Sequence, residues 1–326
     1  MKANATISYV NIGLMVLSAA LALLFPFELF LFSIIVLGPL HYLTEISWLE
    51  KRNFFSISKW NVAVLAVLAI LLMLPSIDKK SGMVPYQIPA IMGAFAYAIG
   101  LIRHKSLWVN LAYFFGVFFA AVYFDLAANY SFVILFGVFL PTIIHVLVFT
   151  GLFLLSGALK NKTWPEYASV LVFIGCILLI MLPQYSFAHY AVSDKAKELY
   201  ILPLATLNAA LVKAFGWGTF TQLSDVFVGQ GPLKVMSLIA FAYTYHYFNW
   251  FSKTSVIKWH EVSKVRLSFI TGIWVFVVAL CMMDYKTGFL ILSFMSLLHV
   301  ALEFPLNIRS MGDIGRAFWP KAVKGG

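Results

Sequence analysis

Residues 27–49 read FELFLFSIIVLGPLHYLTEISWL, an apolar run that is long enough to cross a lipid bilayer as a helix. About 20 residues of α-helix span the roughly 30 Å of hydrocarbon in a membrane. His41 and Glu45 lie inside this run with i,i+4 spacing, so a helix places both side chains on one face. Ionisable side chains are costly at that depth and usually serve a function there. The stretch therefore predicts a transmembrane helix that carries part of a functional site.

The chain as a whole has the composition of a membrane protein. Of its 326 residues, 62% are hydrophobic and only 11% are charged, whereas a soluble domain has about 25% charged residues. We predict an all-α fold, a polytopic transmembrane helical bundle forming a single integral membrane domain over residues 1–326 in the inner membrane of a bacterium. Ten apolar runs are candidate spans: about 7–25, 27–49, 60–76, 87–102, 107–128, 132–158, 165–183, 233–252, 267–284 and 287–307.

The basic residues give the bundle an orientation. With ten spans and both termini cytoplasmic, 16 of the 23 lysines and arginines fall on the inner side and the remaining 7 on the outer side. The net charge of +10 is then a marker of topology, and we expect no nucleic-acid partner. In this orientation residues 184–232 form an outer connection, whose apolar part from Tyr200 to Phe215 predicts an interfacial or re-entrant helix.

Four histidines lie in four spans that all run from outside to inside, namely His41, His145, His246 and His299. They fall roughly 6 to 13 residues from the inner ends of their spans, or about 10–20 Å at 1.5 Å per residue. This common depth favours one shared site. Neutral imidazole is the most frequent metal ligand in proteins, so the four histidines are predicted to bind a metal ion.

Two glutamates accompany these histidines in matching strings, Leu40-His41-x-x-x-Glu45 and Leu298-His299-x-x-x-Glu303. Glu45 and Glu303 are therefore the predicted acidic catalytic groups of the site. Each carboxylate could bind the metal directly, which would allow two metals. Each could instead accept a hydrogen bond from the second nitrogen of its histidine, which suits one metal held by four histidines.

The side chains around His246 are candidates for lining a substrate pocket. They are three aromatic residues and one amide, Tyr243, Tyr245, Tyr247 and Asn249. Asn249 lies one helical turn after His246 and so shares its face. His260, in the following basic loop, is a further residue that could join the site.

The placement of these motifs resembles the Brp/Blh family of membrane β-carotene 15,15′-dioxygenases. The similar strings are Gly38-Pro39-Leu40-His41 with Glu45, Ile144-His145, Tyr245-His246, and Leu298-His299 with Glu303-Phe304. The family has Asp where this chain has Glu45 and Glu303. The resemblance implies non-haem Fe(II) bound by histidines, O₂ as co-substrate, and cleavage of a carotenoid such as β-carotene to retinal. The expected partners are then O₂, membrane lipid and a lipophilic small-molecule substrate.

Other functions are compatible with the same residues. A zinc-dependent intramembrane lipid hydrolase would hold Zn²⁺ with three histidines and use a carboxylate on the metal-bound water. A transporter or structural subunit would use the His and Glu side chains as a proton path. A haem protein with two axial histidines is a further alternative. The number and identity of bound metals separate these readings.

Overall fold

The computed structural model describes residues 2–51, 59–77, 84–104, 106–182, 190–201, 205–219, 222–258 and 261–318. The protein is all-helical, with 91% helix and no strand within these ranges. The principal helices are α1 (Lys2–Leu24), α2 (Pro26–Lys51), α3 (Lys59–Ile77), α4 (Gln87–Arg103), α5 (Leu107–Tyr123), α6 (Val133–Asn161), α7 (Trp164–Met181), α8 (Asp194–Ile201), α9 (Ala205–Phe215), α10 (Gln230–Ser252), α11 (Lys264–Met283) and α12 (Tyr285–Phe318).

Six of these helices are long and apolar enough to cross a membrane, namely α1, α2, α6, α7, α11 and α12. Helices α3, α4 and α5 are apolar but shorter, and α8 with α9 forms a bent pair that would count as a seventh span. Helix α10 is not among the six, because it carries tyrosine, histidine and asparagine side chains that lower its hydropathy. Each of the ten predicted runs thus corresponds to a helix, while the ten-span count itself stays a prediction.

The chain folds into two compact units. The first comprises Met1–Gly38, Val146–Val262 and Ile314–Gly326, and the second comprises Pro39–His145 and Ser263–Asp313. A single integral domain over the whole chain remains a prediction. Three of the four predicted histidine ligands lie in the second unit, and His246 lies in the first.

Helix α10 is the centre of the first unit. It packs against α1, α7, α9 and the beginning of α2. The hydroxyl oxygens of Ser33 on α2 and Thr244 on α10 are hydrogen-bonded at 2.7 Å. The side chains of Val235, Met236, Ile239 and Phe241 are fully buried. Because neighbouring helices cover α10 on nearly all sides, it accepts polar residues that a lipid-facing helix would not.

The beginning of the outer connection is attached to α2 through Glu28. The Tyr190 hydroxyl donates a hydrogen bond to Glu28 Oε2 at 2.6 Å, and the backbone N–H of Ser193 donates to Glu28 Oε1 at 3.2 Å. Burial and the bond to this carboxylate raise the pKa of Tyr190 above its usual range. Helices α8 and α9 follow, and their predicted interfacial position stays a prediction.

The second unit has an apolar core formed by α2, α3, α4, α5 and α12, with the buried side chains Leu49, Leu65, Tyr97, Leu101, Phe114 and Leu302. Helices α4 and α5 approach closely where a glycine faces an aromatic ring. A Cβ atom on Gly93 would lie 2.9 Å from the ring of Phe114 and 3.0 Å from its carbonyl oxygen. Small residues of this kind permit close helix contacts in membranes.

Widened, π-helical turns occur in two of the helices that carry predicted ligands. In α2 they span Ser33–Leu37, one turn before His41. In α6 they span Val133–Phe149 and include both Pro141 and His145. Such turns are rare and are frequently found next to functional sites. They shift the face on which the following side chains lie, which a regular helical period does not predict.

Candidate metal centre

Helix α2 positions the first pair of the site. His41 Nε2 lies 3.1 Å from Glu45 Oε2, as expected for residues one helical turn apart. Both side chains are buried, with 1% and 2% of their surface exposed. The Thr44 hydroxyl between them donates to the His41 carbonyl oxygen at 3.0 Å, which satisfies that polar group within the helix.

Helix α12 supplies the second pair, and this pair meets the first. His299 Nε2 lies 3.5 Å from Glu303 Oε2 on its own helix and 3.4 Å from Glu45 Oε2 of α2. The rings of His41 and His299 are 4.9 Å apart between centroids. The two matching sequence strings therefore form one cluster in the second unit.

His145 completes the cluster from α6. Its Nε2 lies 3.3 Å from Glu303 Oε2, and its ring centroid is 4.9 Å from that of His299. His145 is buried, with 1% of its surface exposed. Glu303 thus contacts two imidazoles on two helices. The structure brings together three of the four predicted histidines and both predicted glutamates.

Two contacts hold the ring of His299 in place: a backbone carbonyl group at Nδ1 and a stacked aromatic ring. Its Nδ1 lies 3.2 Å from the carbonyl oxygen of Ser296, and because a carbonyl only accepts, we assign the proton to Nδ1. Tyr42 stacks on the ring, with centroids 4.6 Å apart and an interplanar angle of 27°. Nε2 then faces the carboxylates of Glu45 and Glu303.

Three potential metal-ligand atoms lie close together in the buried interior. They are His299 Nε2, Glu45 Oε2 and Glu303 Oε2, and none of them has a hydrogen-bond partner within the described part of the chain. Buried carboxylates and lone pairs repel one another unless a cation lies between them. The two carboxylates call for a compensating positive charge, which a bound cation or a protonated imidazole would supply.

The spacing of three donor atoms, from His145, His299 and Glu303, is compatible with a metal ion. Nitrogen and oxygen ligands about 2.1 Å from one ion lie about 3.0–3.4 Å apart at octahedral or tetrahedral angles. The four nitrogen–oxygen distances in the cluster run from 3.1 to 3.5 Å. The ligating atoms of His145, His299 and Glu303 all lie within 4.8 Å of one another, and all three side chains are buried. These residues fit a bound metal.

His246 lies on α10 in the first unit and is also buried. Its Nδ1 is 2.8 Å from the hydroxyl oxygen of Thr150 on α6. A hydrogen-bond partner on one imidazole nitrogen restricts the rotation of the ring. The membership of His246 in the predicted four-histidine site stays a prediction.

The predicted substrate-lining residues lie around α10 in the first unit. Tyr243 packs on Phe30 and on Tyr247, with ring centroids 5.1 and 6.2 Å apart. Tyr247 contacts the ring of His246 at 5.5 Å.

Tyr245 instead packs between Phe173 and Phe241. Asn249, one turn beyond His246 and Tyr245, is buried with 5% of its surface exposed. Their contact with a substrate is still a prediction, and His260 lies outside the described residues.

Three residues of the site's surroundings were not predicted from the sequence: Tyr42, Ser296 and Thr150. Tyr42 follows His41 directly, but nothing in the sequence shows that its ring stacks on His299. Ser296 contributes only a backbone carbonyl, which any residue would supply. Thr150 is a polar residue within an apolar run, and this feature of the sequence could have identified it as a candidate.

Comparison with known proteins adds no family. No protein-family model, curated protein or solved structure matches the chain. The geometry of the cluster therefore carries the functional argument.

Proposed function

We propose that this protein is a membrane-embedded metalloenzyme whose second unit holds one divalent metal ion. The observation that carries the proposal is the convergence of His145, His299 and Glu303, with ligating atoms within 4.8 Å. Two histidines and one carboxylate form the donor set of non-haem Fe(II) oxygenases, which leave open positions on the metal. His41 and Glu45 extend this set on the α2 side.

The glutamates are proposed as direct ligands. A carboxylate that merely orients a histidine contacts the nitrogen opposite the metal. In His299 that nitrogen is Nδ1, which is held by the Ser296 carbonyl oxygen. Glu303 and Glu45 lie on the Nε2 side, 3.5 and 3.4 Å away. They therefore share the metal side of the ring.

The charge of the cluster favours one metal over two. Two carboxylates and neutral imidazoles carry a charge of −2, which one divalent ion cancels. A second divalent ion would leave two uncompensated positive charges in a buried site, which is strongly unfavourable. His246 is proposed as a further ligand, because Thr150 fixes its Nδ1 and orients the ring.

We propose that the enzyme is an iron oxygenase that acts on a carotenoid or another long lipid. When bound, Fe(II) would supply the activation of O₂. The residues of the chain would hold the metal, exclude water from it and admit a lipid from the side. The donor set, the six membrane-length helices and the resemblance to carotenoid dioxygenases support this assignment.

The topology is part of the same proposal. Ten spans with both termini cytoplasmic, in a bacterial inner membrane, agree with the distribution of basic residues. All four histidines then lie at similar depths, about 10–20 Å from the inner ends of their spans.

A zinc hydrolase is the second candidate, since two histidines and one glutamate also form the protein ligands of catalytic zinc in several proteases. The donor atoms alone suit both metals. The identity of the metal decides between them.

The test is the metal content of the detergent-purified protein and of two variants. We expect about one iron per chain for the oxygenase, and about one zinc would favour the hydrolase. His299→Ala should lose the metal while remaining folded, and His104→Ala, which alters a histidine outside the cluster, should retain it. Full metal in the His299 variant, or none in protein purified without chelator, would refute the site.

A further inference from the structure

A buried amide lies one helical turn beyond Glu303 on α12. His299, Glu303 and Asn307 follow one another at i+4 spacing and are 1%, 2% and 1% exposed. Such spacing places them along one face of the helix. Asn307 was not among the residues predicted from the sequence.

Both polar atoms of the Asn307 side chain, Oδ1 and Nδ2, have no hydrogen-bond partner within the residues that the structure describes. Other buried asparagines of the same unit do have one. Asn61 accepts from the Tyr97 hydroxyl, and Asn110 donates to the His104 carbonyl oxygen. A buried amide with neither its donor nor its acceptor satisfied is unfavourable and calls for a partner outside the protein.

The chemistry of the amide defines that partner. Nδ2 donates and Oδ1 accepts, so the matching group must both accept and donate a hydrogen bond. A cation would use only Oδ1, and an anion would use only Nδ2. A neutral hydroxyl group uses both and adds no charge to the buried site.

We propose that Asn307 binds a hydroxyl group next to the metal centre, one turn along α12 from Glu303. The hydroxyl belongs to an ordered water or to the polar end of a lipid alcohol. The inference rests on the proposed function for its importance, because Glu303 is a proposed metal ligand. The binding of a hydroxyl by Asn307 is nevertheless measurable without activity.

The direct test is an experimental structure of the full chain in lipid, at a resolution that shows ordered water. We expect density for an oxygen within about 2.7–3.2 Å of both amide atoms. An isolated peak identifies water, and a peak that continues into a chain identifies a lipid alcohol. An amide with protein partners only, or with no density beside it, would overturn the proposal.

A variant supplies the second measurement. Leu has the same number and branching of side-chain heavy atoms as Asn, so Asn307→Leu would stabilise the protein if the amide were unsatisfied. If the amide holds a hydroxyl, the variant should lower the unfolding midpoint by roughly 2–5 °C. Asn61→Leu, which removes the acceptor of the Tyr97 hydroxyl, is the matched case of an amide with a protein partner and should also be destabilising. A rise for Asn307→Leu alone would contradict the proposal.

Metal analysis of the same samples distinguishes failure of the Asn307 proposal from failure of the proposed metal centre. A hydroxyl at Asn307 in protein without a metal would leave this inference standing and remove the proposed function. A metal at the cluster with no hydroxyl at Asn307 would support the proposed function and overturn this inference.

Discussion

Replacing Glu303 with glutamine should weaken metal binding and stabilise the metal-free protein. Glu303 Oε2 is 3.3 Å from His145 Nε2 and 3.5 Å from His299 Nε2, so this one oxygen joins the ligands of two helices. Loss of a group that only supports a ligand costs about 10–100-fold in metal affinity. Loss of a direct ligand should exceed 100-fold, which corresponds to about 2.7 kcal/mol.

The stability of the metal-free protein should change in the opposite sense. Glu303→Gln keeps the shape of the side chain and removes one of two buried carboxylates that face an imidazole lone pair. Relief of this uncompensated charge should stabilise the metal-free protein by about 1–3 kcal/mol. An increase of about 2–4 °C in the unfolding midpoint per kcal/mol would make the change measurable.

The assay pairs chelator competition, which gives the metal affinity, with thermal unfolding of the chelator-treated protein in detergent. Glu198→Gln is the control, because 70% of the Glu198 side chain is exposed and its surface ion pair with Lys195 contributes little, so the variant should alter neither quantity. If the cluster is instead held together by protonated histidines paired with carboxylates, Glu303→Gln would destabilise the metal-free protein. That result, or unchanged metal affinity, would refute the reasoning.

Two further substitutions probe the support of the site and the packing of the second unit. Thr150→Val removes the hydroxyl that fixes His246 and should lower metal affinity about 10–100-fold, whereas Thr150→Ser should retain it; equal affinities in chelator competition would exclude His246 as a ligand. Gly93→Ala places a Cβ 2.9 Å from Phe114 and should destabilise the protein by about 1–3 kcal/mol in thermal unfolding. Gly116→Ala, with no atom within 4 Å of its Cβ, should be neutral or slightly stabilising, and equal effects at both glycines would contradict the packing argument.

Helix content was the part of the fold that the sequence predicted best. Every apolar run corresponds to a helix. In an apolar environment the backbone N–H and C=O groups must bond to one another, and within a single segment only a helix achieves this. The widened turns of α2 and α6 were not predicted, since periodicity arguments assume a regular helix. The long outer connection was expected to be partly helical, and α8 and α9 lie within it.

Within the site, local relations were predictable and cross-helix relations were not. The pairing of His41 with Glu45 follows from i,i+4 geometry. The contact of His145 with Glu303 depends on how α6 and α12 are rotated against each other, and one sequence holds no record of that rotation. The depth of the histidines in the membrane was predicted from the charge distribution and stays a prediction, and the sequence did not predict which helices are lateral neighbours.

Helix α12 extends over 34 residues, from Tyr285 to Phe318, which is about 51 Å at 1.5 Å per residue. A hydrocarbon layer of about 30 Å cannot contain it, so a substantial part must project into water or the headgroup layer. Met311, 47% exposed, lies on the section beyond His299, about 18 Å along the same axis. A cysteine-reactive fluorophore or spin label at Met311→Cys would be attached to helix α12, which carries two of the proposed ligands. Tilting of that helix when metal or lipid binds could then be followed in intact membranes as a change in the distance between this label and a second, fixed label.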